Sequence, residues 1–115
     1  MGEPVIGEKW DDGKPDTSLL LAFPLALMEV ARVGTFGTQV KGYARGSWRH
    51  VENGVTRYTA ALLRHLLKEE GADYDEESHL LHTAHTAWNA LARLELELMR
   101  RRATGEPTNE TEKTA

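Results

Sequence analysis

The chain has 115 residues, 40% hydrophobic and 28% charged, enough for one globular domain with a modest core. A net charge of −4 and a pI near 5.7 exclude the basic field that holds polymeric nucleic acid, while leaving room for a local basic pocket around one small polyanion. With no cysteine, disulfides, zinc–thiolate centres and thiol catalysis are excluded as well.

Residues 1–18 carry Pro4, Gly7, Asp11-Asp12-Gly13 and Pro15 without periodicity and read as an extended arm, with Lys14 and Asp16 in turn geometry. There is no basic-then-apolar leader, and the apolar run from Leu19 to Met28 is too short to span a bilayer. A cytoplasmic protein without a membrane partner is expected. From Leu19 the pattern turns helical. Pro24 fits a first helical turn, and Leu25, Met28, Glu29, Arg32 and Val33 follow at spacings of three and four. Glu29 lies on the apolar seam, as a partner for a buried Arg or His or as a metal ligand.

Gly34, Gly37, Gly42 and Gly46 predict a hinged loop from Thr35 to Ser47. Its stretch Gly42 to Arg49 mixes glycines, two arginines and two aromatics. That suits a lid that stacks on a base and reaches phosphates, and equally a surface loop. It is not a P-loop, lacking the strand and the Gly-Lys-Ser/Thr ending.

Glu52-Asn53-Gly54 reads as a turn, and a helix begins at Val55 or Thr56 with Tyr58, Leu62, His65 and Leu66 on one side. Arg57, Arg64 and His65 share an adjoining arc, and Gly71 is the expected C-cap. The acids and serine of Asp75 to Ser78 suit the start of the last helix. On it Ser78, His82, His85 and Asn89, spaced by four, three and four, line one face. A second stripe of Leu81, Ala84, Trp88, Leu91, Leu94 or Glu95, and Leu98 reads as core. Arg100 to Arg102 suit the negative end of the helix dipole, and residues 103–115 read as a disordered tail. The expectation is an all-α helical domain of three to four helices over residues 19–102. So few helices leave apolar faces uncovered, so a homo-oligomer is expected.

Several short segments occur in a recognisable order: Gly13-Lys14-Pro15-Asp16, Phe36-Gly37-Thr38, Trp48-Arg49, Arg57-Tyr58, Ala61-Leu62-Leu63-Arg64-His65, Asp75-Glu76-Glu77-Ser78 and His82-x-x-His85-x-x-x-Asn89. Together they resemble the dATP/dGTP diphosphohydrolase N-terminal domain, a small phage-encoded family, over roughly Lys9 to Glu97. Two departures stand out: the Gly usual after the Asp-x-Glu-Ser segment is His79, and the compact Lys-Tyr-Gly of the glycine loop is stretched around Lys41 to Arg45. The paired acidic motif of all-α pyrophosphohydrolases has no counterpart here.

The resemblance implies a nucleotide ligand and metal-dependent cleavage of purine deoxynucleoside triphosphates to monophosphate and pyrophosphate, in the host cytoplasm. It implies a divalent cation, Mn²⁺ or Mg²⁺, among Glu29, His65, Glu77, His82 and His85, with Glu29, Glu77 and His82 catalytic. Lys14, Trp48, Arg49, Arg57, Tyr58, Arg64, Ser78 and Asn89 would bind substrate, with Asn89 set to orient His85. Imidazole ligands would favour Mn²⁺ or a later metal over Mg²⁺. The alternative is a non-catalytic protein that sequesters nucleotides or cyclic dinucleotide immune signals, since cations and stacking rings suffice for holding. A third reading is a helical interaction module.

Overall fold

The computed structural model describes residues 12–108 together with Gly2, Ile6 and Gly7, and among these it is all-α, without a strand. A 3-10 turn (Thr17–Ala22) leads into α1 (Pro24–Thr35), which continues through one π-helical turn (Phe36–Val40). A second 3-10 turn (Ser47–His50) precedes α2 (Gly54–Lys68), and a folded turn joins α2 to α3 (His82–Thr104). The expected arm is described over residues 12–18, its end entering the first 3-10 turn, and the expected tail over residues 103–108, of which Ala103 and Thr104 still belong to α3; residues 109–115 lie outside the described residues. None of the described helices is long and apolar enough to cross a membrane.

Pro24 opens α1 as its pattern predicts, and it also splits the apolar run in two. A residue before proline is driven from the helical region, and Phe23 accordingly sits at φ −118°, ψ 47°. The run from Leu19 is therefore a 3-10 turn, capped by the Asp16 carboxylate accepting from the Ser18 N–H at 3.2 Å, followed by a separate helix.

The loop expected from Thr35 to Ser47 begins later than the glycines suggest. Gly34 does not break α1. It lies beneath the Trp88 ring, where an added Cβ would stand 2.7 Å from Cζ3, so its lack of a side chain lets α1 approach α3. Gly37 is carried inside the π-helical turn that follows. The chain turns only at Gly42 and Gly46, with φ of 78° and 80°.

Asn53, at φ 55°, starts α2 by offering its carbonyl to the Arg57 N–H at 3.0 Å. Gly54 packs against Leu96, and α2 then runs along α3 as the main helix pair. The expected Gly71 cap is not used: Glu69 is the C-cap, and Gly71 sits in the turn beyond it, its N–H on the Lys68 carbonyl at 3.1 Å. At the far end of α3, Gly105 takes φ 77° and the Glu106 N–H closes on the Arg101 carbonyl at 2.9 Å.

The last helix departs most from its pattern. It starts at His82, four residues after Ser78, and its buried residues are His82, Ala84, Asn89 and Ala92. Leu91 and Leu94, expected in the core, are each 51% exposed. His82 meets His65 of α2, and the close approach of the two helices is made where Leu96 packs on Gly54. Among the described residues only Val33, Ala84 and Ala92 are buried apolar side chains, while Leu21, Phe23 and Leu25 stand in solvent.

Candidate functional site

The connection between α2 and α3 folds on itself around Asp75. Its N–H donates to the Leu80 carbonyl at 2.8 Å, its carbonyl accepts from His79 at 2.9 Å, and its carboxylate accepts from the Ser78 N–H at 2.8 Å. Ser78 Oγ accepts from the Leu80 N–H at 3.2 Å, and the His82 N–H, the first of α3, donates to the Asp73 carbonyl at 2.9 Å. His79 takes φ 62°, in the left-handed region that favours glycine.

Three imidazoles meet where this turn touches the helix pair. His65 of α2 and His82 of α3 face each other with their Nδ1 atoms 2.9 Å apart, so one carries the proton and donates to the other. The His65 ring stacks on His85 with centroids 4.4 Å apart and planes within 5°. His85 Nε2 shares a 2.7 Å hydrogen bond with the Ser78 hydroxyl and lies 3.9 Å from the Asp75 carboxylate.

Burial, then the neighbouring His85, pushes His65 down to about 4. His85 is lowered chiefly by burial, against the pull of Asp75. Burial alone would push Asp75 up, but the amide and hydroxyl of Ser78 hold its carboxyl below the usual carboxylate value. At neutral pH His65 and His85 are therefore neutral imidazoles beside an ionised Asp75 carboxylate. Neutral imidazole is the form that binds metals.

His65, Asp75 and His85 open onto a cleft of about 1140 Å³ between the end of α1, the glycine loop and α2. Lys41, Arg45, Arg49, Arg57 and Arg64 line it against only Asp75 and Glu77 as acids, so it is locally positive on a chain whose net charge is −4. Glu77 is itself paired with Lys41 at 3.1 Å. Phe36, Tyr43, Trp48, Tyr58 and Trp88 add aromatic surface. The Tyr58 hydroxyl donates to the Trp48 carbonyl at 3.2 Å and ties the loop to α2.

The family model for dATP/dGTP diphosphohydrolase, N-terminal, matches residues 5–106. The chain belongs to this family. A dATP/dGTP diphosphohydrolase of Salmonella phage PMBT28 is 39% identical over 84 residues, which cover 72% of this chain and 27% of the relative. The chain thus spans about a quarter of that relative's length. No solved structure matches.

Within this member of the family, the structure brings most of the expected residues together. Trp48, Arg49, Arg57, Tyr58, Arg64, His65, Glu77, His85 and Asn89 all line the cleft. His82 lies behind His65, buried to 3% exposure, and Ser78 reaches the site through His85 rather than from the helix itself. Asn89 Nδ2 donates to the His85 backbone carbonyl at 2.7 Å, whereas the hydrogen bond on the His85 imidazole is made by Ser78. Lys14 does not line the cleft. Glu29 does not either: its carboxylate accepts from Arg32 Nε at 3.0 Å on the same helix.

Asp75 and Lys41 are charged cleft residues that sequence reasoning did not single out as binding groups, and Tyr43 and Arg45 were read only as part of a loop suited to base stacking and phosphate contact. Lys41 was visible in the glycine loop, whereas Asp75 was read as a helix-start acid. A divalent cation fits this donor set, because His65, Asp75 and His82 each offer one ligand atom and all three atoms lie within 4.8 Å of one another.

Proposed function

We propose that the chain binds purine (deoxy)nucleoside triphosphates in the cleft and hydrolyses them to monophosphate and pyrophosphate with the aid of a divalent cation. The observation that carries this reading is the imidazole–carboxylate cluster, whose His65 and Asp75 open onto the same cleft as five cationic side chains. The name of the phage relative, a dATP/dGTP diphosphohydrolase, supports the substrate class.

Arg57 and Arg64 stand seven residues apart on α2, roughly 10 Å along its axis, a span that suits a triphosphate. Their planar forks match phosphate oxygens, and Lys41 and Arg45 approach from the loop. Trp48 and Tyr43 offer faces on which a base stacks while the loop excludes water. His65, Asp75 and His82 hold the cation, which when bound supplies charge neutralisation at the phosphates and a more acidic water. His85, kept neutral by burial and bonded to Ser78, holds or accepts a proton at Nε2 beside that centre. Glu77 is proposed to steer Lys41 rather than to act alone.

The uncovered leucines of α1 and α3 support a homo-oligomer as the working form.

Arg64→Lys keeps the charge and removes the fork. It is expected to weaken binding of dATP or dGTP roughly 10- to 100-fold, the loss of one charge-assisted hydrogen bond. Equilibrium binding of a non-hydrolysable analogue measures this. Wild-type affinity in the variant would remove α2 from the binding wall.

A further inference from the structure

The two acids that line the cleft are held in different ways. Asp75 accepts from the Ser78 N–H and is built into its turn. Among the described residues, the Glu77 carboxylate has one polar partner, the Lys41 ammonium at 3.1 Å. A carboxylate in a cleft lined by cations works against an anionic ligand. Steering Lys41 does not by itself account for that cost.

The partner sits at a hinge. Lys41 closes the π-helical turn, its N–H donating to the Phe36 carbonyl at 3.1 Å, and Gly42 follows at φ 78°. Gly46 turns the chain again at φ 80°. Between them the Tyr43 N–H reaches back to the Gly37 carbonyl at 3.0 Å, and the Lys41 ammonium lies 5.9 Å from the centroid of the Tyr43 ring. The Tyr58 hydroxyl ties the downstream end of this segment to α2 through the Trp48 carbonyl. Its upstream end is tied to the turn between α2 and α3 by Lys41 and Glu77. That second tie is exposed, the Glu77 side chain to 64% and the Lys41 side chain to 37%, and an exposed ion pair contributes little. A charge-assisted hydrogen bond from an ammonium to a polyphosphate contributes more. The ammonium has three donors, but a carboxylate and a phosphate on one nitrogen would stand side by side with like charge. The weaker and more exposed acceptor is the one that leaves.

We propose that Glu77 is an autoinhibitory partner of Lys41, its carboxylate standing where a phosphate oxygen binds, and that a polyphosphate enters the cleft by exchange, Lys41 leaving Glu77 for the ligand. The exchange releases the glycine loop from the turn between α2 and α3 and ties it to the ligand. The proposal rests on the reading of the cleft as a triphosphate site and adds how the loop is set free.

The test measures binding of inorganic tripolyphosphate to the full chain in EDTA by calorimetry, at about 0.15 M salt, where bare repulsion between exposed charges is largely screened. Wild type, Lys41→Met, Glu77→Gln and the double variant form a cycle that reads how the Lys41–Glu77 interaction changes on binding. Lys41→Met should weaken binding about 10-fold or more. Glu77→Gln should tighten it, and by about 2- to 5-fold more in the wild-type background than in Lys41→Met, the range open to an exposed ion pair. Equal effects of Glu77→Gln in both backgrounds would mean that the carboxylate only repels anions through space, and would overturn the exchange. So would wild-type affinity in Lys41→Met, or no binding of tripolyphosphate at all.

The side-chain carboxyl ¹³C signal of Glu77 reports the exchange without that cycle. In the wild type, saturating tripolyphosphate should move it to the position it takes in Lys41→Met. A signal that stays in place while tripolyphosphate binds would overturn the proposal. Exchange at Lys41 without nucleotide turnover would sink the proposed function alone, and turnover of dATP without the Lys41–Glu77 coupling would sink this inference alone.

Discussion

A methyl group on Gly34 would stand 2.7 Å from Cζ3 and 2.9 Å from Cη2 of Trp88, a rigid ring that cannot fold out of the way. Alanine in an ordinary helix interior is favoured over glycine by about 1 kcal/mol. Here Gly34→Ala is expected to destabilise by about 1–3 kcal/mol, as overpacking does, and the urea midpoint reads the sign directly. A stabilised variant would mean that α1 does not meet α3 at this point. Glycine shows why some residues were legible in the sequence and others were not. Gly42 and Gly46 do bend the chain, but Gly34 and Gly37 carry the same letter while staying in continuous helical structure. The His82, His85 and Asn89 stripe was readable because helical period alone puts those residues on one face. Asp75 was not, because an acid before a helix has an ordinary local explanation, and only the fold of the turn shows where its carboxylate goes. Glu29 was misleading for a related reason: periodicity names a face but not what stands opposite, and Arg32 one turn away takes the carboxylate.

Between elements, the α2–α3 contact depends on imidazoles that resist protonation. His65 is lowered from the ordinary 6.5 to about 4 by burial first and by His85 second, so between these values the unfolded chain binds the proton and the folded chain does not. The associated stability is complete above about pH 6.5 and is lost as pH falls through 6.5 towards 4. His85 shifts in the same direction, and Asp75, also lowered, extends the loss to more acid pH. The melting temperature of the metal-free chain should therefore fall steadily from pH 7 to pH 4. A flat profile over that window would contradict the packed neutral cluster. The start of α2 at the Asn53-Gly54 turn and of α1 at Pro24 was legible, since both rest on local backbone chemistry. The start of α3 was not, because residues 75–78 have good helix-start composition and are instead drawn into the turn by contacts with Leu80 and His85.

On the scale of the whole molecule, the fully buried side chains among the described residues are small or polar, and many leucines stand outside. Leu25 is 84% exposed and Leu21 78%, alongside Leu91 and Leu94 on α3. An apolar surface of this extent is costly in water unless a partner covers it. The all-α class was legible from periodicity, but which stripe of α3 faces inward was not, because an apolar stripe serves an interface between chains as well as a core. Self-association should give a solution mass above 12.9 kDa by sedimentation, and Leu25→Asp should return it towards that value. A wild-type monomer at micromolar concentration would contradict the oligomer.

The central claim is that a triphosphate held by the arginine wall is cleaved beside the imidazole–carboxylate cluster. Its most direct test is product analysis of purified chain incubated with dATP and dGTP, with Mn²⁺ or with EDTA, for wild type and Asp75→Asn. The account predicts monophosphate and pyrophosphate in equal amounts from the wild type with Mn²⁺, and none with EDTA. Asp75→Asn should slow turnover at least about 100-fold while the Arg57 and Arg64 wall still binds nucleotide. Nucleotide bound and returned intact on heating would contradict cleavage and leave a sequestering protein. Nucleotide neither bound nor cleaved would contradict the site itself.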